Sequence, residues 1–292
     1  MSVRVAKSAG FCFGVSRAVE LVEKAAQEGR KVATLGPIIH NRHVVDKFEK
    51  MGVRVIETPE EALPGETVII RSHGISRAVY ERLEAQKVEI IDATCPFVKR
   101  IHTIVSRACE EGRLPIIIGT PTHPEVEGIA GWCKDFRVFQ DASELEKWVA
   151  DEKISSNLAI CMVSQTTSTE SLWKLCGEFA KKQFTNLKIF DTICRATEYR
   201  QSEAAELSGV CQAMVVVGDP KSSNTGRLAM ICREHCDRVF LVDNAAELKA
   251  EDFSGVTDVG ITAGASTPAW IIKEVNKTMS EITNVEAVQE EN

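Results

Sequence analysis

No run of this 292-residue chain approaches the roughly 18 consecutive apolar residues that a membrane-spanning helix needs, which excludes a helical membrane protein. Basic residues are outnumbered by acidic ones, 35 to 42, and never gather into a long patch. That excludes the electrostatic footprint of a nucleic-acid binder. The short pairs Lys99-Arg100 and Lys181-Lys182 read as solvated helix faces. The opening residues carry neither an apolar signal core nor an Ala-x-Ala cleavage pattern, so a cytoplasmic protein is expected. No Cys-x-x-Cys occurs, which removes zinc ribbons and thioredoxin-type sites. The phosphate loop GxxxxGK[ST], the dinucleotide fingerprint GxGxxG and an Asp-Asp-x-x-Asp cluster are also missing. Low-complexity linkers are absent too.

What remains is a three-fold grammar. Val3 to Ala6 leads to Cys12 and then to a helical period of Val15, Ala18, Val19 and Val22. Glu89 to Thr94 leads to Cys95, then to a helical period of Val98, Ile101, Ile104, Val105 and Ala108. Leu187 to Ile193 leads to Cys194 and a polar helical stretch. A second β-rich run follows each helix and ends in Gly36, Gly119 or Gly218, and the interval from cysteine to glycine is 24 residues all three times. Third runs lie at 53–56, 136–139 and 238–241. Fourth runs end in Arg71-Ser72-His73-Gly74, Ser164-Gln165-Thr166-Thr167 and Thr262-Ala263-Gly264-Ala265-Ser266.

The alternation of strand and helix predicts three pseudo-symmetric α/β units with parallel sheets and right-handed crossovers. Their boundaries are read as 1–86, 87–184 and 185–284, with a C-terminal tail at 285–292. Functional loops in open α/β sheets lie at the carboxyl ends of the strands. The cysteine, histidine, serine and threonine motifs all fall at that end. Units arranged about a pseudo-threefold axis would aim those loops at one centre.

Three groups of residues carry candidate chemistry. Cys12, Cys95 and Cys194 occupy equivalent repeat positions, whereas the other seven cysteines do not and read as core residues. One thiolate per unit makes a three-sulfur site suited to zinc or to an iron–sulfur cluster. Zinc in a structural site would want a fourth protein ligand, while a cluster held by three cysteines keeps one iron open. His40, His73, Ser222, Ser223, Asn224 and Ser266 sit where strand gives way to helix, and neutral donors at helix N-termini suit a diphosphate. Plain N-capping accounts for Ser222-Ser223-Asn224 equally well at this level. His123 and Glu125, with Thr166 on a neighbouring loop, form a candidate proton-delivery group, with Glu125 the acid and Glu127 a surface carboxylate.

At these residues the chain resembles the 4-hydroxy-3-methylbut-2-enyl diphosphate reductase family, which ends the methylerythritol phosphate route to isoprenoids. The matching segments begin at Ala9-Gly10-Phe11-Cys12-Phe13-Gly14-Val15 and Gly36-Pro37-Ile38-Ile39-His40-Asn41. They continue through Arg71-Ser72-His73-Gly74, Asp92-Ala93-Thr94-Cys95-Pro96, His123-Pro124-Glu125-Val126 and Gln165-Thr166-Thr167. They end with Asp191-Thr192-Ile193-Cys194, the run from Gly218 to Thr225, and the run from Thr262 to Ser266. The resemblance implies three α/β units around a 4Fe–4S cluster held by Cys12, Cys95 and Cys194. It implies that the substrate's allylic alcohol meets the open iron, and that two electrons and two protons expel water to leave isopentenyl and dimethylallyl diphosphate. The electrons would come from a reduced ferredoxin or flavodoxin. His40, His73, Ser222, Ser223, Asn224 and Ser266 would hold the diphosphate, and His123, Glu125 and Thr166 would deliver protons. Two other readings stay open here: a non-redox hydro-lyase using the cluster as a Lewis acid, and a non-catalytic iron–sulfur sensor of a phosphorylated metabolite.

Overall fold

The computed structural model describes residues 2–290. In chain order the elements are β1 (Ser2–Val5), α1 (Phe13–Gln27), β2 (Lys31–Leu35), α2 (Arg42–Lys50), β3 (Arg54–Ile56), β4 (Glu66–Ile70), α3 (Arg77–Ala85) and β5 (Glu89–Asp92). There follow α4 (Pro96–Glu110), β6 (Leu114–Ile118), α5 (Pro124–Ala130), β7 (Arg137–Phe139), α6 (Ala142–Asp151), β8 (Ile160–Ser164), α7 (Glu170–Gln183) and β9 (Leu187–Ile189). The last are α8 (Arg195–Ser208), β10 (Ala213–Val217), α9 (Ser223–His235), β11 (Val239–Val242), β12 (Asp258–Ala263) and α10 (Ala269–Glu290). Residues 285–290, expected as a tail, continue α10.

Three four-stranded sheets result, ordered β3-β2-β4-β5, β7-β6-β8-β9 and β11-β10-β12-β1. Every strand pairing within them is parallel. The order is the same in each: the second strand of the set flanks the first, and the third and fourth follow on the other side. The reversal of winding falls between first and third strands, the place where α/β sheets open a crevice at their carboxyl ends. The strand expected to open each unit is instead the fourth strand of another sheet: β5 pairs with β4, β9 with β8, and β1 with β12. A parallel strand is joined to its neighbour by a right-handed helical crossover, so α3 carries β4 to β5 and α7 carries β8 to β9. The helix after each cysteine leads on to a new sheet, and β1 pairs with the last strand of the chain.

The chain divides into two compact units. One comprises residues 1–15, 40–45 and 195–292 and holds the β1 sheet; the other comprises 16–39 and 46–194 and holds the remaining two sheets. Central strands read as unbroken apolar runs because both faces are covered by helices. In β6, Ile116 and Ile118 enter one core with Trp148 and Trp173, while Ile117 between them enters the opposite core with Ile101 and Val105. In β10, Val215 and Val217 pack with Phe253, and Met214 and Val216 with Leu228. Within the larger unit, the two sheets meet where Trp132 donates its indole N–H to the Ile75 carbonyl at 3.1 Å.

Candidate functional site

The cysteine turns share one backbone device. The Cys95 N–H donates to the Ser72 carbonyl at 2.9 Å, Cys194 to Thr166 at 3.0 Å and Cys12 to Ala265 at 3.2 Å. Each acceptor stands two residues beyond the end of the third strand of its sheet, β4, β8 or β12. The turn bearing each thiol is thereby hung on the adjacent strand's own loop. Pro96 at the first position of α4 makes Cys95 the cap residue and fixes where the helix starts. All three cysteines are half-buried.

Of the other seven, Cys109 and Cys133 are half-buried as well, and five lie deeper. Cys161, Cys176, Cys211, Cys232 and Cys236 are buried among apolar side chains. Burial pushes the thiols of Cys133, Cys161 and Cys176 up to about 11 and that of Cys232 up to about 12, and it raises Cys211 as well. Metal ligation needs the thiolate, so Cys161, Cys176, Cys211 and Cys232 are core thiols. The donor set of Cys12, Cys95 and Cys194, partly exposed at the carboxyl ends of strands, fits a soft metal centre.

In the larger unit His123, Glu125 and Thr166, the candidates for proton delivery, come together. Pro124 opens α5, and His123 caps it by accepting the Glu125 N–H on Nδ1 at 3.1 Å. In the neutral ring Nε2 then carries the proton, leaving a donor on the far side of the imidazole. Glu125 is 3% exposed, an unusual place for a carboxyl. Thr166 accommodates it twice, its N–H donating to Oε1 at 2.6 Å and its hydroxyl to Oε2 at 2.7 Å. The His73 ring meets the His123 ring edge-on with centroids 5.6 Å apart. Thr166 in turn receives Cys194 through its carbonyl, and Ser72, beside His73, receives Cys95. A run of direct contacts and chain neighbours therefore joins both cysteine turns of this unit to the carboxyl. Glu127 is exposed, as expected.

Close packing at the strand ends explains the glycines. A Cβ on Gly36, which has φ +71°, would lie 2.5 Å from Arg71 Nη1, and one on Gly119 would lie 2.9 Å from the Gln165 Cβ. Arg71 is a residue that sequence reasoning did not assign a role. Burial pulls its guanidinium down from the ordinary range, and Glu127 and Glu57 oppose that. His102, another unassigned residue, packs beneath Gly74, where a Cβ would come 2.6 Å from its ring. It stacks on Trp132 with centroids 5.2 Å apart, and burial lowers its pKa to about 4.

The smaller unit contains His40, Ser222, Ser223, Asn224 and Ser266. Ser222 caps α9 by accepting the Thr225 N–H, so the capping role is real. Ser266 donates its hydroxyl to the His40 carbonyl at 2.9 Å, tying the segment after β2 to the loop after β12. Asn224 stands apart: it is 4% exposed, and neither its amide nitrogen nor its amide oxygen has a hydrogen-bond partner. The Asn41 amide nitrogen is buried and unpartnered as well, while its oxygen accepts the Val44 N–H at 3.1 Å. Orphaned groups of this kind cost about 1–3 kcal/mol each, a burden that a bound polar ligand would relieve. Asn41 lay within a recognised motif, but its spacing alone signals only a helix cap.

The LytB protein family model matches residues 3–280. The chain belongs to the LytB protein family. A relative from Caldanaerobacter subterraneus subsp. tengcongensis is 44% identical over 280 residues, covering 94% of this chain and 95% of the relative. Another from Nitratiruptor sp. is 40% identical over 283 residues, covering 97% and 99%. Both are named 4-hydroxy-3-methylbut-2-enyl diphosphate reductase. Among solved structures, an (E)-4-hydroxy-3-methyl-but-2-enyl diphosphate reductase described as the terminal enzyme of the non-mevalonate pathway superposes with a TM-score of 0.70 at 38% identity, covering 96% of this chain and all of its own. The Plasmodium falciparum reductase superposes with a TM-score of 0.88 at 28% identity, covering 95% and 86%. The family has thus kept this three-sheet frame across distant members. No helix among the described residues is long and apolar enough to cross a membrane.

Proposed function

We propose that this chain reduces (E)-4-hydroxy-3-methylbut-2-enyl diphosphate to isopentenyl and dimethylallyl diphosphate, consuming two electrons and two protons and releasing water. The observation that carries the reading is the buried Glu125 carboxyl gripped by both donors of Thr166, beside the paired rings of His73 and His123. Cys12, Cys95 and Cys194 would hold a 4Fe–4S cluster, which supplies electrons singly and a Lewis-acidic iron.

Hydroxide is a poor leaving group, so the departing oxygen needs a proton as the C–O bond breaks. Glu125 is the source of that proton, and the Thr166 hydroxyl bonded to it is placed to relay it. His123, with Nδ1 engaged by its own helix, offers Nε2–H to the substrate. The diphosphate takes the orphaned amide of Asn224 together with His40, His73, Ser222, Ser223 and Ser266. Its binding energy, remote from the reacting bond, fixes the allylic end. The second proton adds at either end of the reduced allylic unit, which yields the two isomeric products. A reduced ferredoxin or flavodoxin in the cytoplasm is the electron donor.

The test is anaerobic turnover of the hydroxylated allylic diphosphate with and without a reduced donor, with products identified by mass spectrometry. Both isomers should form only with the donor present. Conversion without any reductant would overturn the reading in favour of a hydro-lyase, and binding without conversion would favour a sensor.

A further inference from the structure

We infer that Arg17 and Arg200 are positioning residues for two of the three cysteine turns, holding their backbones in place and setting a fixed positive charge beside them. The inference rests on the reading that the three cysteines hold an iron–sulfur group.

Arg17 stands five residues after Cys12, and Arg200 stands six residues after Cys194. Arg17, half-buried on α1, donates Nη1 to the Thr94 carbonyl at 3.3 Å and Nη2 to the Asp92 carbonyl at 3.1 Å. The Thr94 carbonyl belongs to the peptide that joins Thr94 to Cys95, and the N–H of that same peptide goes to Ser72. Both poles of the peptide plane that aims Cys95 are therefore held, one by a guanidinium and one by a neighbouring strand loop. Arg200 is 3% exposed and grips the other turn. Its Nη1 donates to the Ser8 carbonyl and, at 2.9 Å, to the Ala263 carbonyl, and its Nη2 donates to Gly10 at 3.0 Å. Ala263 closes β12, two residues before the Ala265 that receives Cys12, so Arg200 binds the cysteine turn and its supporting strand with one planar fork.

The Cys194 turn carries a neutral tie of its own. Thr192 holds it with a neutral hydroxyl that accepts the Ser164 N–H and donates to the Ser164 carbonyl, each at 2.8 Å. Arg100, five residues after Cys95, is exposed. Guanidinium groups stay protonated in proteins, so Arg17 and Arg200 favour sulfur ligands in their anionic form and favour the more negative, reduced state of whatever those sulfurs hold. Such supports beyond the ligands themselves commonly govern affinity by about 10–100-fold.

The experiment compares the wild type with Arg17→Gln, Arg17→Lys and Arg200→Gln after anaerobic preparation, with iron and sulfide counted. Arg17→Gln should release iron to a chelator on the order of tenfold faster than the wild type. Its midpoint potential, followed by electron paramagnetic resonance, should move to more negative values. Arg17→Lys, which keeps the charge and loses the fork, should release iron faster while holding the midpoint. Arg200→Gln should match Arg17→Gln where it folds; its burial leaves the partly exposed Arg17 as the deciding site. A fully loaded Arg17→Gln protein with wild-type release and midpoint overturns the inference. So does a lowered melting temperature with neither quantity changed, since that marks a structural tie. A wild type holding neither iron nor sulfide brings down the cluster reading itself, and the inference with it.

Discussion

The carboxyl site of the larger unit and the amide site of the smaller one solve opposite problems. Glu125 has its donors in place, with Thr166 bonded to both carboxyl oxygens and its own N–H on His123. Asn224 is buried to a similar degree, yet both its amide atoms are left over. A group that must deliver a proton at a defined moment gains from being held beforehand. A group that must grip a highly hydrated anion gains from having no protein partner to give up. The first arrangement needs little reorganisation during reaction, and the second leaves a donor that a bound anion would meet.

This contrast can be broken at several points. The largest effect is expected at the cysteines, where Cys95→Ser or Cys194→Ser should remove the visible absorption that the proposed cluster would give, and essentially all turnover. An unchanged visible spectrum would contradict a cluster held by the repeat cysteines. Next, Glu125→Gln should cut kcat by roughly 10²-fold or more with little change in KM, on the usual scale for a general acid. Near-normal turnover would remove Glu125 from the chemistry. Asn224→Ala should do the reverse, raising KM about tenfold and leaving kcat within a few-fold, because a diphosphate contact is made equally before and during reaction. The two sites should also separate in the ligand-free protein: Thr166→Val strips a buried carboxyl of a donor and should cost about 1–3 kcal/mol, whereas Asn224→Ala should cost less. Equal losses in denaturant titrations would erase the distinction.

The smallest effect concerns His102, which sits under the Gly74 turn and takes no part in the proposed chemistry. Its pKa falls to about 4 in the folded chain because burial disfavours the charged ring. The unfolded chain, near the ordinary value of 6.5, binds the proton first as pH drops. The stability this histidine contributes is therefore present above pH 6.5 and is lost as pH falls toward 4. Between pH 7.5 and 5 the loss should be roughly 2 kcal/mol, and His102→Gln should lack that share of the pH dependence. Parallel stability curves for the two proteins over this range would show that His102 titrates normally.

Much of the site could be read from residue spacing. The 24-residue interval from cysteine to glycine marked the turns of Cys12, Cys95 and Cys194, and Pro96 and Pro124 announced the helix starts that place Cys95 and His123. The chemistry of Glu125 was visible as a carboxyl in a motif, but its clasp by Thr166 joins residues 41 apart. Asn41 and Arg71 lay inside matched segments without a role of their own, and Arg17, His102 and Arg200 carried no signal, since such a residue on a helix is ordinarily a surface residue. Only burial among distant carbonyls and glycines distinguishes them.

Local residue patterns set the strands, their helices and the threefold rhythm, because β-branched runs, helical periods and turn residues are properties of neighbouring side chains. Which strands share a sheet was decided only in three dimensions. Val3 pairs with Val259, the first strand against the last, and β5 and β9 close the sheets that precede them rather than opening new ones. A strand's edges offer the same backbone donors and acceptors whatever its side chains. Its partner is therefore chosen by crossover geometry and by the apolar faces it completes, neither of which a local stretch of sequence contains.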